Sequence, residues 1–319
     1  MKILMLTEND PAGMAIAFRN AINKYTDHSC RLVTTESRYG FNYEKDIHLP
    51  TLKAGQQDEI EQLLKDADII HFHILFDENR TLGDIAVKDF IKGKELVHHH
   101  HGHPDFRADP IKYEEKYRKL GRKVFVSTPD LLKPAPYANW IPNLVPIHSE
   151  NFLPASTSNN DVIKLCQAPT RKELKNTDEF IRTAKSLKQK YETIEYYIIE
   201  NTIYSECLAK KRECDIHFDH MQGYYGVSSL ESLSQARPVI AGLDDFNIGH
   251  IKAFTEAETL PWIIARDSEA LEKQIEMLIC DSGQRDHKGH ESRQFMETCW
   301  NEKNVLKTLF DMYEVKMCA

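Results

Sequence analysis

Short apolar, β-rich runs alternate with helix-length stretches along this chain, and the alternation stops once and then restarts. KILMLT (2–7) reads as a strand, followed by the ENDPAGM turn and a helical pattern to about residue 24. RLVTT (31–35), ADIIHFH (67–73), KELVHHH (94–100) and KVFVST (123–128) read as further strands. Helical patterns fall at 57–66, 81–91 and 110–120. Prolines 134, 136, 142, 146 and 154 then space a segment that can continue neither a helix nor a central strand, so it reads as an interdomain connection. Beyond it the rhythm resumes, with strands at 161–168, 195–200, 214–218, 238–242 and 260–264. Helices are expected at 173–190, 203–212, 227–235, 268–280 and 291–313. Strand–helix alternation of this kind predicts α/β layers over mostly parallel sheets, here in two consecutive domains, with ligands beyond the carboxyl ends of the strands.

Composition excludes several classes. A length of 319 residues with 41% apolar content suits two cored domains. No segment reaches the roughly 18 apolar residues needed to cross a bilayer, and the start is too short for a signal peptide. Seven cysteines are scattered without a C-x-x-C pair, which argues against a disulfide framework or a zinc knuckle. Cys166 and Cys280 read as small buried residues, and the cytoplasm as the compartment. A net charge of -8 is not the signature of a nonspecific nucleic-acid binder, although a local basic cleft is compatible with it. Peripheral membrane attachment and the oligomeric state stay open.

The most informative segment is GYYGVSSLESLSQARPVIAG, 223–242. Gly226 permits a tight turn and close approach of a ligand, and Val227, Ser228 and Ser229 open a helix whose first N–H groups can receive phosphate oxygens. Glu231 can accept from ribose or sugar hydroxyls, or can serve as an ordinary carboxylate near a helix N-terminus. In APTRKELKNTDEF (168–180) a strand ends at Ala168, and Arg171 and Lys175 follow in the loop, where they could neutralise a diphosphate. Alternatively they belong to a solvated helix start.

Histidines form a third group. His71 and His73 share one strand face, and His98 to His101, followed by Gly102 and His103, end another strand. Alternation allows only a subset, His101 with His99, to address a ligand. H-E-x-x-H is absent and no carboxylate or cysteine has ligand spacing, so a metal site is not expected. Gly13, in the turn after the first strand, is a further place for a phosphate or an acceptor to approach backbone. Trp140 and Tyr224-Tyr225 could stack on a base or sugar, though packing is the commoner task. Dinucleotide, P-loop and hydrolase-elbow fingerprints are absent.

Together KILMLTENDPAG, ADIIHFH, LVHHHHGH, VSTPDLL with WIPN, APTRKELKNTDEF and 223–242 resemble the retaining glycosyltransferases of the large GT-B family 4, over nearly the whole chain. The resemblance implies a GT-B fold of two Rossmann-like α/β/α domains facing across a cleft. It implies an acceptor domain at 1–145, a nucleotide-sugar domain at 146–292, and a helix at 293–319 crossing back to the first domain. It casts Arg171 and Lys175 as the diphosphate-binding pair, Glu231 as the ribose carboxylate closing the E-x7-E motif, and His101 as the active-site histidine. His73 takes a supporting role on the acceptor side. The implied donor is a UDP- or GDP-linked sugar and the acceptor a hydroxyl of a surface glycan, with no cofactor or metal required. A nucleic-acid acceptor and a noncatalytic nucleotide-sugar-binding partner are the rival readings. One departure stands out: Gly223 occupies the position of the motif's first glutamate, with Gln222 and Asp219 nearby as substitutes.

Overall fold

A computed structural model describes residues 1–10, 12–154 and 162–317. Pro11 in the first turn, Asp161 at the start of an expected strand, and Cys318 lie outside the described residues. The chain divides into two compact units, residues 1–144 with 302–319, and residues 145–301.

The first unit carries β1 (Lys2–Thr7), β2 (Ser29–Thr34), β3 (Ile47–His48), β4 (Ile69–His73), the hairpin β5 (Thr81–Leu82) and β6 (Ile85–Ala86), β7 (Glu95–His100), β8 (Lys123–Val126) and β9 (Asn139–Trp140). Seven of these strands form a sheet of order β3-β2-β1-β4-β7-β8-β9 with every pairing parallel. Its helices are α1 (Met14–Tyr25), α2 (Gln56–Asp66), α3 (Pro104–Ala108) and α4 (Pro110–Leu120). Parallel strands need helices over both faces, so their interiors read as continuous apolar runs such as the buried stretch Ile3–Leu6. One face packs Leu4, Leu6, Val33, Ile70 and Phe72 against Ile60 and Leu64 of α2.

The second unit carries β10 (Ile163–Gln167), β11 (Ile194–Ile198), β12 (Ile216–Phe218), β13 (Val239–Ala241) and β14 (Ile263–Ile264), in the order β11-β10-β12-β13-β14, again all parallel. Around them lie α5 (Thr177–Lys190), α6 (Tyr204–Arg212), α7 (Val227–Ser234), α8 (Asp245–Thr255), α9 (Ser268–Cys280) and α10 (Ser282–Thr298). A last helix, α11 (Glu302–Tyr313), belongs to the first unit. In each sheet the strand order reverses once, beside β1 and β4 in the first and beside β10 and β12 in the second. Ligands of doubly wound folds bind outside the carboxyl ends of the strands at such reversals.

Several expected elements come out differently. The stretch 81–91 is a hairpin and a 3-10 turn rather than a helix, because Gly83-Asp84 closes a two-residue loop between β5 and β6. The helix expected over 291–313 is two helices. The chain breaks after Thr298 and buries the Trp300 indole against Tyr225, Trp262 and Phe295, and the Asn301 side chain donates to the Glu297 carbonyl at 2.9 Å. Helix α8, not foreseen, starts at the N-cap Asp244, whose carboxylate accepts from the Asn247 N–H at 2.8 Å. Cys166 is buried as expected, but Cys280 ends α9 exposed, with its Sγ 3.4 Å from the Tyr191 hydroxyl. Among the described residues no helix is long and apolar enough to cross a membrane.

Candidate active site

The carboxyl ends of β10 and β12 are tied together by one buried amide. Gln167 Nε2 donates to the Lys175 carbonyl at 2.7 Å and to the Asp219 carbonyl at 2.8 Å. This fixes the loop after β10 against the residue that follows β12. Asn176 completes the tie by accepting from the Met221 N–H at 2.9 Å and from Gln222 Nε2 at 3.0 Å.

Asp219 is the hub of this arrangement. Its carboxylate accepts from the Gly226 N–H and from Ser229 Oγ, both at 2.6 Å, so it caps the first turn of α7. Lys175 Nζ stands 3.7 Å away, as does His220 Nε2. Burial opposes its ionisation, but the charges of His220 and Lys175, with the two hydrogen bonds, outweigh burial and hold its pKa down to about 2. Lys175 also lies 5.9 Å from the centre of the Tyr224 ring. Gly226 has an ordinary φ of -93°. Glycine is required there by space, since a Cβ would meet Asp219 Oδ1 at 2.8 Å and Lys175 Nζ at 3.1 Å. The close approach inferred for a ligand is made by the protein's own carboxylate. A phosphate at this end of α7 therefore has the Val227 and Ser228 N–H groups and the Lys175 ammonium as its donors.

Glu231, one turn into α7, is locked by a lysine. Lys211 Nζ is 2.7 Å from Glu231 Oε2, 2.7 Å from the Ser228 carbonyl and 2.9 Å from Ser228 Oγ, while the Tyr204 hydroxyl donates to Glu231 Oε1 at 2.9 Å. Both side chains are almost fully buried, so the pair is held in one geometry. Each carboxylate oxygen keeps a second lone pair for a hydroxyl. Lys211, Asp219, Ser228 and Ser229 line one recess beside β10, β12 and α7. The sequence did not single out Lys211; the signal that could have found it is helical spacing, three residues after the buried Leu208 on the same face of α6.

Arg171 is not gathered into this cluster. It is the N-cap of a 3-10 turn, about half exposed, with its Nε 3.0 Å from Glu173 Oε1. Gly223 has a φ of +90°, a conformation natural to glycine and strained for any other residue, and a Cβ there would meet Asp244 Oδ2 at 3.2 Å. A glutamate at 223 would be strained and would point its first carbon at a carboxylate. Of the two expected substitutes, Gln222 is bonded to Asn176 and Asp219 is committed to α7. The carboxylate nearest position 223 is that of Asp244, a residue the sequence did not single out.

In the first unit, β4 and β7 pair with His73 beside His99. His71, His73, His99 and His101 stack on one face of the sheet, and His73 Nδ1 is 3.0 Å from His101 Nε2. His98 and His100 fall on the opposite face against Phe72, Phe106 and Tyr117, as strand alternation requires. Burial pushes the His101 imidazole down to about 4. Gly13 caps α1 at a φ of +64°, with the Tyr43 ring packed where a Cβ would stand. Trp140 donates its indole N–H to the Ser127 carbonyl at 3.2 Å and is partly buried against a core cluster, and Tyr225 is fully buried and so is no stacking platform, while Tyr224 is partly exposed.

No family model and no curated protein matches this chain. Solved structures do. An alpha-glucosyltransferase in complex with UDP-glucose and DNA containing an abasic site superposes with a TM-score of 0.69 at 12% identity, covering 98% of each chain. Anabaena HepE, in complex with UDP and glucose, gives 0.66 at 13% identity over 98% of this chain and 99% of its own. The UDP-GlcNAc 2-epimerase of Neisseria meningitidis, bound to UDP-GlcNAc, gives 0.54 at 13% identity over 98% and 100%. The architecture is thus the GT-B fold, two Rossmann-like α/β units, as found in glycosyltransferases. At such identities it is the fold that is shared.

Proposed function

We propose that this chain is a retaining glycosyltransferase of the family 4 type that moves a sugar from a nucleotide-diphospho-sugar, UDP-linked in the first instance, to a hydroxyl. The carrying observation is the grouping at the carboxyl ends of β10 and β12. A fixed lysine ammonium, the start of α7 and the rigid Glu231 carboxylate stand together there, as a nucleoside diphosphate requires. The neighbours solved with UDP or UDP-glucose favour a uridine donor.

The difficult step is breaking the bond between the anomeric carbon and the diphosphate oxygen while an oxocarbenium-like sugar forms. Lys175 and the N–H groups of Val227 and Ser228 stabilise the charge that collects on the departing diphosphate, with Ser229 holding Asp219 in place. Arg171 joins them by leaving Glu173, a move its exposed position permits. Glu231 accepts from the ribose hydroxyls. His101 addresses the transferred sugar, His73 positions His101 through their 3.0 Å contact, and Gly13 is the acceptor-side turn, which the acceptor reaches as the Tyr43 ring packed on it swings aside. Asp244 stands in for the missing glutamate at 223. The acceptor hydroxyl gives up its proton as the new glycosidic bond forms, the leaving diphosphate taking it, and neutralisation by Lys175 and Arg171 calls for no metal in this step. The first unit, 1–145 in sequence terms, takes the acceptor, the second, 146–292, takes the donor, and the segment 293–319 returns the chain to the first. A surface glycan made in the cytoplasm is the acceptor class that the family resemblance favours. A DNA acceptor is the second reading, favoured by the glucosyltransferase solved with DNA and disfavoured by the net charge of -8.

Ligand-observed NMR against UDP-, GDP-, ADP-, CMP- and dTDP-sugars, beside a variant carrying R171A and K175A, tests this. Saturable binding of a UDP-sugar that the variant loses supports the donor site. Folded protein that binds none of the panel sinks the simple donor-site assignment and moves weight to a site that forms only with the acceptor, or to a noncatalytic partner.

A further inference from the structure

We infer that the imidazoles of His71, His73 and His99 form a binding site for one divalent transition-metal ion of the zinc type in the first unit. His71 and His73 are two residues apart on β4, and His99 is the register partner of His73 on the adjacent parallel strand β7. Two imidazoles at i and i+2 on one strand and a third from its neighbour place three rings together on one side of a sheet. One ring nitrogen from each of the three lies within 4.8 Å of the others. A tetrahedral ion with Zn–N bonds of ~2.0–2.1 Å needs nitrogens roughly 3.4 Å apart, so the rings, stacked with centroids 4.4, 5.3 and 5.4 Å apart, turn about their side-chain bonds to aim their nitrogens at one ion.

The unpartnered nitrogens point to an ion here rather than to packing alone. All three side chains are at most 2% exposed, yet His71 Nε2, His73 Nε2 and both nitrogens of His99 have no hydrogen-bond partner in the protein. Buried polar atoms left in that state cost on the order of 1–3 kcal/mol each.

The partners of the remaining nitrogens set the tautomers that ligation needs. The Tyr313 oxygen is 2.5 Å from His71 Nδ1, and His101 Nε2 is 3.0 Å from His73 Nδ1. If each Nδ1–H donates to that partner, both Nε2 atoms keep a lone pair for a metal, the arrangement by which an outer residue sets the tautomer of a ligating histidine.

The donor set selects the ion. Three neutral imidazoles without a carboxylate suit zinc, cobalt, nickel or copper and disfavour magnesium and calcium, which want oxygen. They leave the double charge uncompensated, so the fourth position takes hydroxide or another small anion. The histidines of the opposite face, His98 and His100, are spread among Phe72, Phe106 and Tyr117 and do not converge.

The experiment uses untagged full-length protein stripped with a chelator and titrated with Co2+, then with Zn2+ against a chromophoric chelator. One equivalent of Co2+ giving the intense visible bands of a tetrahedral site, displaced by Zn2+, is expected. His99→Gln should abolish these bands and His98→Gln should leave them intact. Tyr313→Phe keeps the ring and the packing, so it guards against a folding artefact, and should weaken Zn2+ binding roughly 10–100-fold. Folded protein showing no such bands, or bands that survive His99→Gln and so report an adventitious ion only, would overturn the site. None of these readouts depends on glycosyl transfer.

Discussion

Asp10 and Asp219 do the same mechanical job in the two units and sit in opposite electrostatic settings. Each follows a strand and sends its carboxylate into the first turn of the next helix. Asp10 accepts from the Ala15 and Ile16 N–H groups of α1 at 3.1 and 3.0 Å, and Asp219 from Gly226 N–H and Ser229 Oγ at α7. Around Asp10 burial dominates over the backbone hydrogen bonds from Ile16, Ala15 and Met14, and its pKa is raised. Around Asp219 the interactions with His220 and Lys175, with the hydrogen bonds from Ser229 and Gly226, reverse the effect of burial. A carboxylate alone satisfies a helix end, whereas a carboxylate with a lysine fixed beside it leaves a positive group poised for a second anion. That contrast is why the donor diphosphate is assigned to the second unit.

The largest expected effect concerns the lock on α7, which α1 lacks. Lys211→Met should destabilise the protein by about 3–5 kcal/mol, because it leaves Glu231 buried without its partner. Urea unfolding measures this, and a second change, Glu231→Gln, should restore part of the loss. A cost of only a few tenths would mean that the pair is not buried as described.

Next comes Lys175→Met, expected to lower kcat/KM for the UDP-sugar by roughly 10²–10³ through loss of charge stabilisation at the leaving group. Asp10→Asn should leave donor affinity as it was. Equal losses from the two substitutions would erase the distinction between the helix ends.

The pH dependence of stability should also separate the two carboxylates. Asp219 has a folded pKa of about 2 against an ordinary 3.8, so it contributes about 2 kcal/mol that is fully present above pH 3.8 and is lost as pH falls toward 2. Asp10 has the opposite sign, since its raised pKa makes the folded state bind more protons, and its contribution declines as pH rises above 3.8. Acid titration of unfolding should therefore be flatter than wild type in Asp219→Asn and steeper in Asp10→Asn.

The most local effects are at the glycines. Gly226→Ala should cost about 1–3 kcal/mol by forcing a methyl against the Asp219 carboxylate, despite a φ open to any residue. Gly13→Asn should be milder than Gly13→Val, because both press on the Tyr43 ring but asparagine tolerates the left-handed backbone that a β-branched residue does not. Differential scanning fluorimetry ranks the three.

Much of this was legible beforehand because it depends on local pattern. The strand–helix alternation read from KILMLT to PVIAG is present as two parallel sheets, since parallel strands covered on both faces must be apolar along their length. Lys175, the 226–229 turn and Glu231 likewise fall at strand and helix ends that the pattern locates. The hairpin at 81–86 and the break at Cys299–Asn301 were not legible, because a two-residue turn and a buried indole override helical spacing.

What the sequence by itself determined is the class of architecture and the face each histidine takes, because both follow from periods of 2 and about 3.6 residues that hold within single elements. Only the tertiary structure decided that Lys211 is buried on Glu231, that Asp219 fills the start of α7, that Asp244 stands beside Gly223, and that His99 completes the pair on β4. Each of those joins residues from different elements, and the distance between them is set by how strands are ordered and helices packed, which no local period encodes.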